Sequence, residues 1–199
     1  MNLLDKIVRW RMKHKSGQRG IAATEFALML PIWFMLLIGA SDGCFYMLIN
    51  ERVDRISYSV TDIVAQYQAI SLANLNNIIL AAGQLMNPFT FGVNGVVIVT
   101  SVYKAPGQNP TICWQYSGGG TLSKPSQIGT SNGAANCSNG ANATLPNGLI
   151  LNDKDNIIIS EVFYNFTPLF LSDTMFPVKN LYRVAVYKPR LSPLITPPT

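Results

Sequence analysis

Two apolar patterns follow one another in the first half of the chain, and both predict helix. Residues 26–40 carry no charged side chain, and the whole segment 21–49 is apolar apart from a few positions. Those positions include Glu25, Ser41 and Asp42. Because a helix of about 20 apolar residues crosses a bilayer, residues 21–49 are predicted to form a transmembrane helix.

After residue 50 the apolar side chains become periodic instead of continuous. They recur at alternating spacings of three and four, which is typical of one apolar stripe on a helix. The stripe comprises Val53, Ile56, Val60, Ile63, Tyr67 and Ile70. One long helix from about residue 21 to residue 70 is therefore predicted. Its stripe has two possible partners, a sheet of the same chain or helices of other subunits.

A shorter helix and several strands follow. Ser71 is a plausible N-cap for a helix over residues 72–86, so residues 50–87 form an amphipathic helical region. Strand-like runs occupy residues 93–103, 111–116, 157–166 and 181–188.

A long polar loop and a proline-rich tail complete the second half. Residues 117–148 are rich in Gly, Ser and Asn, and the residues after Pro189 predict an open tail. The predicted fold class is α+β. A long N-terminal helix, transmembrane and then amphipathic, precedes a short helix and a mostly antiparallel β-sheet domain over residues 88–199.

The net charge of +5 is concentrated at the N-terminus. Residues 1–20 contain six basic side chains and one acidic one, which leaves nine of each sign in the remainder. The basic character therefore does not indicate a nucleic-acid-binding surface, and no nucleic-acid partner is expected. Positive blocks that flank a membrane span stay in the cytoplasm. Residues 1–20 are thus predicted to be a cytoplasmic leader, turn-prone over 16–20, with the β-rich domain on the outer side.

Two of the three cysteines, Cys113 and Cys137, lie in the predicted outer domain. In an oxidising compartment such a pair favours a disulfide, which would stabilise the fold by roughly 3–4 kcal/mol. The alternative is a pair of unbonded, partly buried thiols. Cys44 lies near the outer end of the apolar segment.

The sequence contains few candidates for a catalytic centre. His14, in the leader, is the only histidine, which excludes histidine-based triads and multi-histidine metal sites. Asp153, Asp155 and Glu161 are interpreted as solvated acids, although the first two have a spacing found in calcium loops. We predict no enzymatic activity and no catalytic, cofactor or metal site.

Glu25 is the most unusual residue of the apolar segment. A carboxylate inside a membrane helix costs a few kcal/mol and usually has a partner or a function. If the chain were cut after Gly20, the new α-ammonium group of Ile21 could pair with Glu25 of the same or a neighbouring subunit. Alternatively, Glu25 lies at the headgroup boundary and needs no partner.

The run from Arg19 to Pro31 resembles the N-terminus of type IV pilin-like proteins, and more narrowly that of the TadE/TadG family of pseudopilins. The matching residues are Arg19, Gly20, Ala22, Glu25, Phe26, Ala27, Leu28 and Pro31. The outer end of the apolar helix, Asp42-Gly43-Cys44, departs from the family's pattern, and the polar loop is long. These departures leave the subtype open.

The resemblance implies a minor pilin-like component of the Tad/Flp pilus, or of a related type II/IV secretion machinery, that supports pilus assembly and adhesion. A prepilin peptidase would cut after Gly20, and the partners would be the bacterial inner membrane and other pilus subunits. The alternative is an uncleaved single-span inner-membrane protein whose outer domain binds a ligand or envelope partner.

Overall fold

The two α-helices come first along the chain, and the four strands follow. The computed structural model describes residues 3–134, 137–170 and 179–199, with side chains from residue 20 onward. Its main elements are α1 (Leu3–Ala65), α2 (Leu72–Gly83), β1 (Gly95–Tyr103), β2 (Thr111–Gly118), β3 (Asn156–Phe166) and β4 (Lys179–Tyr187). The strands form one antiparallel sheet in the order β2-β1-β3-β4. The predicted α+β class is confirmed.

The second half of α1 lies on one face of this sheet. Its buried stripe lies against β3 and β4 and, with side chains of β1 and β3, forms the main core of the protein. The stripe comprises Ile49, Val53, Ile56, Val60 and Val64, each no more than 4% exposed. The chain's own sheet is therefore the partner of the stripe.

The buried stripe differs in detail from the apolar stripe that the sequence predicts. Ile63 is 39% exposed, whereas its neighbour Val64 is fully buried. A strict seven-residue repeat suits a supercoiled helix, but a straight helix drifts by about 20° per heptad relative to it. Because α1 packs on a sheet and not around another helix, it has no partner to supercoil with. The drift of the straight helix therefore buries Val64 instead of Ile63.

Both ends of α1 differ from the prediction. The helix begins at Leu3 and passes through residues 16–20, so the predicted turn is wrong. Glycine weakens a helix by only about 1 kcal/mol relative to alanine, and no proline breaks this segment. The other end is at Ala65 and not near residue 70. The backbone N–H groups of Gln66 and Tyr67 close a turn there, and the N–H of Arg190 satisfies the Ala65 carbonyl oxygen at 2.9 Å.

The C-terminal tail is packed and not open, which corrects another prediction. Leu194 is 3% exposed. Its carbonyl oxygen accepts hydrogen bonds from Ser101 Oγ at 2.6 Å and Trp114 Nε1 at 2.8 Å. Proline lacks a donor and cannot join a sheet interior, so a proline-rich tail looks solvated in sequence. Here the other residues of the tail supply the contacts.

Ser71 caps α2 as predicted. Its hydroxyl oxygen accepts a hydrogen bond from the backbone N–H of Asn74 at 3.2 Å. The helix ends at Gly83, and a 3-10 turn over Gln84–Met86 follows, so the predicted helical region is nearly correct in length.

The opposite face of the sheet is covered by the long polar loop. Ile128 and Leu151 are buried there against Val102, Ile157 and Ile159. The domain thus has three layers, namely helix, sheet and loop. The predicted disulfide is present, with Cys113 of β2 joined to Cys137 of the loop.

Candidate functional site

The predicted processing site lies on the part of α1 that projects from the domain. Gly20, Ile21 and Glu25 are all exposed. Apart from its own chain neighbours and helical turn, no described atom lies within 4 Å of the position that a Cβ at Gly20 would occupy. The hydroxyl of Thr24 donates to the Ile21 carbonyl oxygen at 2.8 Å, which is a local helix contact. The basic side chains of the predicted leader lie outside the described side chains.

The helix surface beyond this site is apolar and is not covered by any described part of the chain. Every large apolar side chain between Ile21 and Ile38 is at least 36% exposed, and Leu28 reaches 77%. Among the described residues one helix, within Gly20–Ala65, is long and apolar enough to cross a membrane. At roughly 25 cal/mol per Å² of apolar surface, such a helix is strongly driven out of water.

The exposed segment ends at Asp42, a residue whose role the sequence left open. Asp42 is 3% exposed. Its Oδ1 accepts hydrogen bonds from the backbone N–H groups of Leu169 at 3.1 Å and Phe170 at 3.3 Å. The carboxylate therefore ties the chain after β3 to the point where α1 enters the domain. Cys44, two residues further along α1, is exposed and unbonded.

Glu161 is fully buried in the middle of β3, on the face opposite α1. Its Oε1 accepts hydrogen bonds from the backbone N–H of Gln127 at 2.8 Å and from the Tyr182 hydroxyl at 3.0 Å. Its Oε2 accepts one from Ser126 Oγ. The interpretation of Glu161 as a solvated acid is therefore wrong. The sequence does contain a signal for this burial, because Glu161 lies inside the strongly apolar run 157–166. A charge buried in such a strand requires hydrogen-bonding partners.

The environment of Glu161 also affects its tyrosine partner. Burial, together with the adjacent Glu161 carboxylate, raises the pKa of Tyr182. Burial likewise raises the pKa of Tyr164 on the other face of the sheet. The Tyr182 hydroxyl donates to Glu161 and the Tyr164 hydroxyl donates to the Thr90 carbonyl oxygen. The Glu161 cluster thus acts as a structural latch for the loop.

A cleft of about 670 Å³ lies beside this latch, between the loop and β4. Its lining combines apolar side chains with a few polar ones. They include Lys124, Leu145, Phe163, Asn180, Tyr182 and Val184. Such a mixture suits a small ligand or an apolar peptide side chain.

Two further acids of the described β-rich domain, Asp153 and Asp155, are paired with lysines. Asp153 lies 3.2 Å from Lys104 Nζ, and Asp155 bonds Lys188. The Lys188 ammonium lowers the pKa of Asp155. Across residues 20–134, 137–170 and 179–199, no group of three or more His, Cys, Asp or Glu residues is placed to hold a metal ion.

Comparisons with known proteins add no neighbour. No protein-family model, curated protein or solved structure matches the chain.

Proposed function

We propose that this protein is a minor pilin-like, TadE-like subunit of the Tad/Flp pilus or of a related type II/IV secretion machinery. It would be held in the bacterial inner membrane by the exposed apolar part of the predicted span 21–49, with its N-terminus in the cytoplasm and its β-rich domain in the periplasm. It would support pilus assembly and adhesion, without catalytic activity of its own and without a nucleic-acid partner.

The observation that supports this proposal most is the uncovered apolar half of α1. An exposed apolar helix that carries one carboxylate near its start can be covered by lipid and by the same helices of neighbouring subunits. The helix continues without interruption into the core of the outer domain. A displacement of the helix along its axis would therefore move the whole domain.

Processing would supply the partner for Glu25. Cleavage after Gly20 creates an α-ammonium group on Ile21, four residues and about 6 Å of helix rise from Glu25. In lipid the two charges stabilise one another, within a subunit or between neighbours, and the pairing would set the axial register of the subunits. Removal of residues 1–20 also takes away the whole net charge of +5 and leaves nine basic and nine acidic side chains.

The proposal predicts that Gly20→Leu blocks processing. A bulky side chain before the cut should leave residues 1–20 attached, whereas the control Gly17→Leu, within the same leader, should be processed normally. Intact mass spectrometry of both variants, purified from cells with an active prepilin peptidase, measures this. Normal cleavage of Gly20→Leu would argue against the assigned cut.

The cleft beside β4 favours a second candidate function. An uncleaved single-span protein could use this cleft of about 670 Å³ to bind a ligand or an envelope partner. In that case Glu25 would lie at the headgroup boundary and would have no part in assembly. The two proposals therefore diverge at Glu25.

A further inference from the structure

We propose that the outer domain rests on the outer leaflet of the same membrane through a lipid-contacting edge, defined as Phe89, Leu169 and Phe170. This inference relies on the membrane anchor of the proposed function. It adds an interaction surface outside the helix and names its partner, the interfacial layer of the bilayer.

The height of this edge follows from Asp42. Residues 21–41 span about 31 Å of helix, and the hydrocarbon core of a bilayer is about 30 Å thick. If Ile21 lies at the inner boundary, Asp42 lies at the outer one. The backbone N–H groups of Leu169 and Phe170 bond to the Asp42 carboxylate, so these two residues lie at the same level.

The side chains at this level are apolar and uncovered. Leu169 is 59% and Phe170 62% exposed, although both are tethered through their backbone to a buried carboxylate. Phe166, the last residue of β3, is in contrast buried and packs its ring against Tyr46 of α1, with the centroids 5.4 Å apart. The exposure of the pair is therefore not a general feature of this end of β3.

The third member of the edge comes from a different part of the chain. Phe89 is half-buried against the main core and packs edge-to-face on Phe45 of α1, with ring centroids 6.0 Å apart. Phe45 lies one turn beyond Asp42, so Phe89 also lies near the outer boundary. Lys179 Nζ lies 5.6 Å from the centre of the Tyr46 ring, which places a cation near the lipid phosphates.

This arrangement is continuous with the membrane anchor and fits an interfacial surface. Apolar side chains that sit 5–10 Å into the headgroup region beside basic residues are typical of such surfaces. The edge would add a second contact to the single helix and would limit tilting of the domain on the bilayer.

Site-directed spin labelling of the full chain tests the edge directly. In a Cys44→Ser background, Phe170→Cys would carry a nitroxide in vesicles of phosphatidylethanolamine and phosphatidylglycerol. Ile150→Cys is the matched control, because Ile150 is 85% exposed but lies in the segment that bonds to Lys104 at the other end of the sheet. Leu36→Cys reports on the helix itself.

The expected result is a ratio of oxygen to nickel-chelate accessibility at Phe170 at least severalfold above that at Ile150, and closer to that at Leu36. Adding Asp42→Ala should reduce this ratio, whereas Asp42→Asn, which keeps the acceptor oxygen, should preserve it. Water-like accessibility at Phe170 with lipid-like accessibility at Leu36 would overturn the edge and leave the anchor intact. A label at Phe170 shielded from both reagents would show coverage by protein and would also overturn it. Water-like accessibility at Leu36 would remove the anchor on which both proposals depend.

Discussion

Replacing Glu25 with glutamine should reduce the assembly of this subunit into pili at least tenfold while leaving its cleavage unchanged. Glutamine is nearly isosteric with glutamate but cannot pair with the α-ammonium of a processed Ile21. An unpaired charge within a membrane helix costs a few kcal/mol, and a tenfold loss corresponds to only about 1.4 kcal/mol. The yield of pili sheared from cells complemented with the variant measures the effect.

Glu51→Gln is the matched control for this substitution. Glu51 also lies on α1, its side chain is 68% exposed, and it pairs with Arg55 at 3.4 Å. Such an exposed helix pair contributes only about 0.3–0.5 kcal/mol, so assembly should be unaffected. Wild-type assembly by Glu25→Gln would contradict the pairing and would favour the uncleaved binding protein.

Replacing Glu161 with alanine should destabilise the outer domain by about 3–5 kcal/mol, because it leaves buried donors without an acceptor and creates a cavity. The donors are the backbone N–H of Gln127 and the hydroxyls of Ser126 and Tyr182. Chemical denaturation of the full chain in detergent, followed by near-UV circular dichroism, gives the free energy of unfolding.

Glu161→Gln separates hydrogen bonding from charge. Its carbonyl oxygen can accept from Gln127 and Tyr182, and its amide can donate to Ser126 Oγ, so the loss should stay within about 1 kcal/mol. Asp153→Ala, which removes an exposed ion pair with Lys104, should also cost less than about 1 kcal/mol. Equal, large losses for Glu161→Gln and Glu161→Ala would show that the charge itself holds the loop.

Much of the fold could be predicted from the sequence because the patterns are local. Ser71 caps α2 through its own hydroxyl, and each of the four strands corresponds to an apolar run bounded by polar residues. The Cys113–Cys137 pair was predictable only together with the inferred compartment. The distance between these two cysteines in the fold depends on how β2 and the loop pack.

The errors came from contacts between distant segments. The carbonyl oxygen at the end of α1 bonds to Arg190, the tail bonds to Ser101 and Trp114, and Glu161 bonds to a loop more than 30 residues away. No local pattern identifies these partners, although the apolar run around Glu161 indicates that it is buried. The choice between Ile63 and Val64 depended on whether the partner was a helix or a sheet, and spacing alone does not decide that.

The candidate site likewise combines a local motif, which the sequence revealed, with a contact between distant segments, which it did not. Gly20, Ile21 and Glu25 were recognisable because their motif is contiguous, and the structure places them on one exposed helix. The role of Asp42 could not be predicted, since its bonding partners Leu169 and Phe170 are more than 120 residues away.

The mature N-terminus shows whether a prepilin peptidase cleaves the chain after Gly20. It can be determined by intact mass spectrometry of the wild-type chain, purified from cells with an active prepilin peptidase and from cells without one. We expect a chain that begins at Ile21 in the first case and one that retains residues 1–20 in the second. A chain that still begins at Met1 in the presence of the peptidase would contradict the assignment as a processed pilin-like subunit.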